Sequence, residues 1–108
     1  MSELVKICPT SDIAENSVKS FEVGNNVIAV YNLGGTFYAT DNECTHGAAS
    51  LAEGILEGDT IECSLHFGAF NVRTGEAVQA PCFTALRTYK VLVQDGQVMV
   101  DLDKAAAD

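Results

Sequence analysis

An all-β domain, either a sandwich or a partly open barrel, is what the sequence predicts. Short runs rich in β-branched and aromatic residues point to strands, turn pairs of Gly, Asn or Asp recur roughly every eight to twelve residues, and nothing has the spacing of a helix of normal length. In chain order, Val18–Val23 precedes the turn pair Gly24-Asn25. Asn26–Leu33 and Thr36–Thr40 flank Gly34-Gly35 as a hairpin. Thr60–Cys63 and Ala69–Val72 are shorter, the second leading into Thr74-Gly75-Glu76. Leu86–Val93 and Gln97–Leu102 flank Asp95-Gly96 as a second hairpin. Residues 103–108 contain helix formers but nothing to pack against, and are expected to be a frayed tail.

At 108 residues the chain is expected to be one domain, residues 1–108, large enough to bury a core. No apolar run approaches the roughly 20 residues that span a bilayer. The start, "MSELVKICPTSDIAEN", lacks the apolar stretch of a signal peptide, so the expected location is the cytoplasm, where structural disulfides are rare. A net charge of -9 argues against nucleic acid, because phosphates require a Lys/Arg surface. A basic protein partner suits it better, and Glu43, Glu53, Glu57, Asp59 and Glu62 are the carboxylates expected to steer one.

The stretch from Thr40 to Ile61 departs from the strand pattern. Its residues are small, alternation is lost, and long excursions in compact domains usually carry function. It begins and ends near potential metal ligands. Cys44-Thr45-His46 and Cys63-Ser64-Leu65-His66 each offer one thiolate and one imidazole, and together they hold both histidines and two of the four cysteines. Sixteen residues, 47 to 62, lie between the pairs.

A structural zinc takes two Cys and two His, but its usual spacing places the two Cys on one knuckle and the two His elsewhere. A dinuclear iron-sulfur cluster explains the mixing, since each loop can offer its Cys to one iron and its His to the other. Two thiolates leave the oxidised cluster near neutral, where four would leave it about two charges more negative, so an added electron meets less repulsion. The reduction potential rises accordingly. Imidazole is compact and carries a second ring nitrogen, which suits an iron near the surface.

"CTHG" followed by "CSLHFG" closely resembles the cluster-binding motif of Rieske iron-sulfur proteins. Along nearly the whole chain the sequence is similar to the Rieske ferredoxins of bacterial multicomponent ring-hydroxylating dioxygenases. The resemblance implies a Rieske fold: an antiparallel β-sandwich with a small cluster-binding subdomain of two ligand loops, within about residues 41–82. It implies one 2Fe-2S cluster, with Cys44 and Cys63 on the buried iron and His46 and His66 on the exposed one. It also implies a flavoprotein ferredoxin reductase as electron donor and a terminal Rieske non-haem iron oxygenase as acceptor. The chain itself would be a one-electron carrier in aromatic hydrocarbon catabolism, not an enzyme. Selectivity for the aromatic compound would lie in the oxygenase.

Respiratory Rieske proteins carry an extra disulfide between the loops, and the matching positions here are Ala49 and Leu65. They also carry a serine and a tyrosine that donate hydrogen bonds to a cluster sulfur, where this chain has Gly68 and Phe70. Such donors favour the reduced state, so their absence predicts a potential near the low end of the roughly -150 to +300 mV Rieske span. Leu65 and Phe67, with Pro81 and Phe83 of a third loop, are expected to shield the cluster and meet a partner, and Gly47 and Gly68 to allow close backbone approach. Cys82 is read as a free thiol, and so is Cys8, which follows an apolar strand. The rival readings are a zinc module on the same four residues, the Rieske domain of an oxygenase, and the small subunit of a nitrite reductase. An oxygenase needs a second iron site of two histidines and a carboxylate, and both histidines here are already committed.

Overall fold

The computed structural model describes residues 4–24, 26–43, 50–63, 68–79 and 85–102. Ten strands account for most of them: β1 (Leu4–Pro9), β2 (Ser17–Val23), β3 (Asn26–Leu33), β4 (Thr36–Asp41), β5 (Ile55–Glu57), β6 (Thr60–Glu62), β7 (Ala69–Asn71), β8 (Ala77–Gln79), β9 (Thr88–Gln94) and β10 (Gln97–Asp101). Single 3₁₀ turns lie at Thr10–Asp12 and Leu51–Glu53. All named pairings are antiparallel. The larger sheet runs β1-β10-β9-β4-β3-β2, and the smaller runs β5-β6-β7-β8. Among the described residues no helix is long and apolar enough to cross a membrane.

The larger sheet is two three-stranded blocks joined by a short ladder, in which only Ala39↔Tyr89 and Thr40↔Thr88 pair β4 with β9. A core cluster draws on strands from both blocks: Cys8 from β1, Ile28 and Val30 from β3, Phe37 and Ala39 from β4, Tyr89 from β9, and Val98 and Val100 from β10. The second cluster joins β3 to the smaller sheet through Ala29, Tyr31, Leu51, Ile61, Cys63, Phe70, Val72 and Leu86. Because successive strand residues point to opposite faces, β3 sends Ile28 and Val30 into one cluster and Ala29 and Tyr31 into the other. All four are fully buried. This explains why "VIAVY" is a continuous apolar run without alternation. Burial of such side chains contributes about 1.5–3 kcal/mol for each large one.

Both predicted hairpins form. Asp95 and Gly96 each have positive φ, 54° and 73°, the pattern of a two-residue turn whose twist matches its strands. Strand ends differ from expectation by one or two residues. β9 begins at Thr88, not Leu86; β6 stops at Glu62, β7 at Asn71 and β10 at Asp101, whereas β4 runs on to Asp41.

The excursion from Thr40 to Ile61 is more regular than its composition suggests. Leu51–Glu53 makes a 3₁₀ turn, and β5 pairs with β6 across a turn containing Gly58, which has φ 61°. All four strands of the smaller sheet are too short for periodicity to reveal; residue type marks β6 and β7, whereas β5 and β8 escape the sequence pattern. Cys8 lies inside β1, where it is 5% exposed, and does not follow the strand as expected. Its thiol is free, and burial, reinforced by the charge of Asp12 and opposed by Lys19, pushes its pKa up. The expected frayed tail lies outside the described residues.

Candidate metal centre

Cys63 immediately follows β6 and is fully buried with a free thiol. Its backbone N–H donates to the Gly68 carbonyl at 2.7 Å, so the chain that leaves the small sheet at Cys63 is tied at its return. Gly68 is itself buried. An apolar wall surrounds the thiol: Leu51, Ile61, Phe70, Val72 and Leu86 share its cluster.

The first loop is tied in the same manner. Glu43 and Ser50 form an isolated antiparallel bridge. Asn42, 8% exposed, holds the neck on both sides, its N–H donating to the Val27 carbonyl at 3.1 Å and its carbonyl accepting the Leu51 N–H at 2.8 Å. Its side-chain amide donates to Ser50 Oγ at 2.9 Å and accepts the Ala52 N–H at 3.1 Å. A third neck lies at Gly75, whose carbonyl accepts the Leu86 N–H at 2.7 Å. Gly75 has φ 80°, and a Cβ there would stand 2.3 Å from the Leu86 carbonyl oxygen, so only glycine fits. Leu51, Cys63 and Leu86, one from beside each neck, thus meet in one apolar cluster.

Under the first neck runs a string of hydroxyls. Tyr31 Oη shares a hydrogen bond with Thr40 Oγ1 at 2.8 Å, and Thr40 Oγ1 donates to the Asp41 carbonyl at 2.8 Å. The Asp41 carboxylate accepts a hydrogen bond from Tyr89 Oη, and the Asp41 N–H donates to the Arg87 carbonyl at 2.9 Å. The Tyr89 phenol is pushed up to about 12 by burial first, then by its bond to Asp41 and that carboxylate's charge, against the opposing pull of Arg87. Burial also raises Tyr31 far above the ordinary range.

Of the expected ligands, Cys63 alone falls among the described residues. Cys44, His46 and His66 lie outside them, as do Gly47, Leu65, Phe67, Pro81, Cys82 and Phe83. Among the described residues no three potential ligands converge. Of the five steering carboxylates, Glu43, Glu53 and Glu57 are exposed and Glu62 is half-buried. Asp59 differs from expectation, because it pairs with Arg73 at 3.5 Å and is partly neutralised. Sequence reasoning missed Asn42, Ser50 and Gly54. A buried Asn immediately before a glycine-bearing loop has no periodic signature, and its partners become visible only in three dimensions.

Residues 3–90 match the model of the Rieske [2Fe-2S] domain. The chain belongs to the Rieske family. The Rieske domain is 43% identical over 104 residues to the ferredoxin component of the p-cumate 2,3-dioxygenase system of Pseudomonas putida, covering 94% of this chain and 88% of that one. It is 46% identical over 101 residues to ferredoxin CarAc of Metapseudomonas resinovorans, covering 93% and 94%. Among solved structures, a complex of reduced oxygenase and oxidized ferredoxin in carbazole 1,9a-dioxygenase aligns with TM-score 0.86 at 45% identity, covering 91% of this chain and 92% of the matched chain. The zinc reading finds no support in these relatives. The Rieske domain also fits its cofactor chemically at the ligand position described. A thiolate inside an apolar wall suits a cluster iron, and Phe70, fully buried in that wall, carries no hydroxyl to donate to sulfur.

Proposed function

We propose that this chain is a one-electron carrier in an aromatic-ring-hydroxylating dioxygenase system. It takes electrons from a flavoprotein ferredoxin reductase and delivers them to a terminal Rieske non-haem iron oxygenase. The observation that carries this is the match to ferredoxin components over nearly the full length of both chains, with the cysteine at the end of β6 buried and its loop tied shut. Cys44, His46, Cys63 and His66 would hold one 2Fe-2S cluster, which when bound supplies a centre that gains and loses a single electron.

The chain's own residues do the rest. Leu51, Ile61, Phe70 and Val72 keep water from Cys63, and the tied necks bring Leu51, Cys63 and Leu86 together in one apolar cluster. Gly47, Gly68, Leu65, Phe67, Pro81 and Phe83 form the surroundings and partner-facing surface in this reading, and residues 41–82 form the cluster-binding part of a single domain. The carrier works in the cytoplasm. Exposed Glu43, Glu53 and Glu57 favour a basic docking surface on the partner. The chain has two histidines in total; with both on the cluster, none remains for a mononuclear iron site.

Electron paramagnetic resonance after dithionite reduction tests this directly. A Rieske signal with a low average g value and two irons per chain are expected. An all-thiolate spectrum, or protein that stays iron-free after anaerobic reconstitution, would refute it. The midpoint potential is expected near the low end of the roughly -150 to +300 mV span, since no hydroxyl stands at 68 or 70.

A further inference from the structure

The neck of the first ligand loop is closed by hydrogen bonds between the chain's own groups. Four hydrogen bonds converge on Asn42, two from its backbone and two from its side chain, and they reach Val27, Ser50, Leu51 and Ala52. The neck then continues through Glu53 N–H to the Ser50 carbonyl at 3.1 Å and Gly54 N–H to the Leu51 carbonyl at 3.0 Å. Gly54 presses on the strand that carries Cys63, where an added Cβ would lie 2.0 Å from the Glu62 carbonyl oxygen. Its φ is -85°, which any residue adopts, so glycine is demanded here by space alone. Asn42, with the Glu43–Ser50 bridge beside it, therefore joins the two ends of the first loop, and one close contact sets that neck beside the residue preceding Cys63.

We propose that Asn42 is a positioning residue for the cluster. Its side-chain amide holds the first ligand loop's neck closed before metal arrives, and Gly54 fixes that neck at a set distance from Cys63. The inference rests on the cluster reading above. Ala could make neither bond, and the single hydroxyl of Ser is shorter than the amide, whose separate nitrogen and oxygen donate to Ser50 and accept from Ala52. Outer-shell groups of this kind typically alter metal retention by about 10- to 100-fold when removed.

The body of the protein supplies a matched control. Asn32 is 6% exposed and also bonds on two sides, donating from Nδ2 to the Ile13 carbonyl at 2.8 Å and accepting the Gly35 N–H at 2.8 Å, both partners lying in the body of the protein. The experiment compares Asn42→Ala, Ser50→Ala and Asn32→Ala with wild type in three measurements: loss of visible absorbance in excess chelator, the g values of the reduced protein, and amide hydrogen exchange in the metal-free protein.

Asn42→Ala should release iron about tenfold faster or more, with broadened or displaced g values. Ser50→Ala, which removes one of the two side-chain bonds, should fall between it and wild type. Asn32→Ala should lower the unfolding temperature while leaving release rate and g values at wild-type levels. The Leu51 and Ala52 amides should be protected in the metal-free wild type. If Asn42→Ala and Asn32→Ala behave alike toward chelator and in the spectrum, Asn42 is merely structural and the proposal fails. Amides unprotected without metal overturn it too, since the cluster would then build the neck. Should Asn42→Ala not fold, Ser50→Ala decides, and wild-type behaviour there is a refutation. A wild-type protein that never shows a Rieske signal, with its neck amides protected, instead sinks the cluster reading on which the proposal stands.

Discussion

The two sheets use the same antiparallel pairing and differ in what makes them stand. In the larger sheet the strands run from five to eight residues, and the core between its blocks is complete from within. In the smaller sheet every strand has three residues, and its inner face is covered by β3 of the larger sheet. Strands so short make few ladder bonds, so the smaller sheet depends on what it packs against and on what its loops hold. The body is expected to keep its fold when the cofactor is lost, and the smaller sheet is not. Local stability follows local burial and pairing.

Removing a proposed ligand should separate the two regions most sharply. Cys63→Ala and Cys44→Ala are each expected to give colourless, iron-free protein. Hydrogen exchange should rise steeply through residues 55–71 while the β2, β3 and β4 amides stay protected. Uniform loss of protection would show one cooperative unit, not two.

A smaller effect is expected from packing. Phe70 is fully buried between the smaller sheet and β3. Truncation to Ala should cost about 3–5 kcal/mol in chemical denaturation. A value below about 0.5 kcal/mol, the usual range of a surface substitution, would mean that the seam between the sheets is loose.

Alkaline pH bears on both sides of the seam at once. Tyr31 belongs to one cluster and Tyr89 to the other, and burial raises both phenols, Tyr89 to about 12. Each is neutral when protonated, and the folded state keeps its proton above the ordinary value of about 10. Stability from this source is therefore fully present below pH ~10 and is lost as pH rises toward the folded values. Urea denaturation midpoints should fall between pH ~10 and ~12, and Tyr89→Phe should flatten the part that Tyr89 contributes. A midpoint that holds constant to pH 12 would contradict the burial of both rings.

The smallest effect concerns the acidic surface. Electron transfer to the oxygenase should slow several-fold as salt rises from about 10 mM to 150 mM, the range over which the Debye length shrinks from about 30 to 8 Å. Glu57→Gln should reduce that salt dependence, and Asp59→Asn should change it less, because Asp59 already faces Arg73. Stopped-flow rates insensitive to salt would reduce the carboxylates to a solvated face.

Much of the fold was legible because it is local. Asn26–Leu33 matches the observed strand to the residue, and Asp95-Gly96 marks its hairpin. The proposed ligand pairs are likewise a reading of local sequence, a Cys and a His two or three positions apart, and of the four residues only Cys63 lies among those the structure describes. β5 and β8 were not: like β6 and β7 they have three residues and no period, so residue type alone had to mark them, and there it did not.

What the sequence determined by itself is chemistry carried by neighbours in the chain: strand preference, left-handed turns, and which side chains can bind iron. The tertiary structure alone decided that β3 is buried on both faces, that Leu51, Cys63 and Leu86 meet, and that Asn42 and Gly54 tie the first loop to the strand of the second. Burial and hydrogen-bond partnership are relations between residues far apart along the chain. No property of Asn42 or Gly54 taken singly contains them, because the atom each must reach takes its place only when the two sheets close.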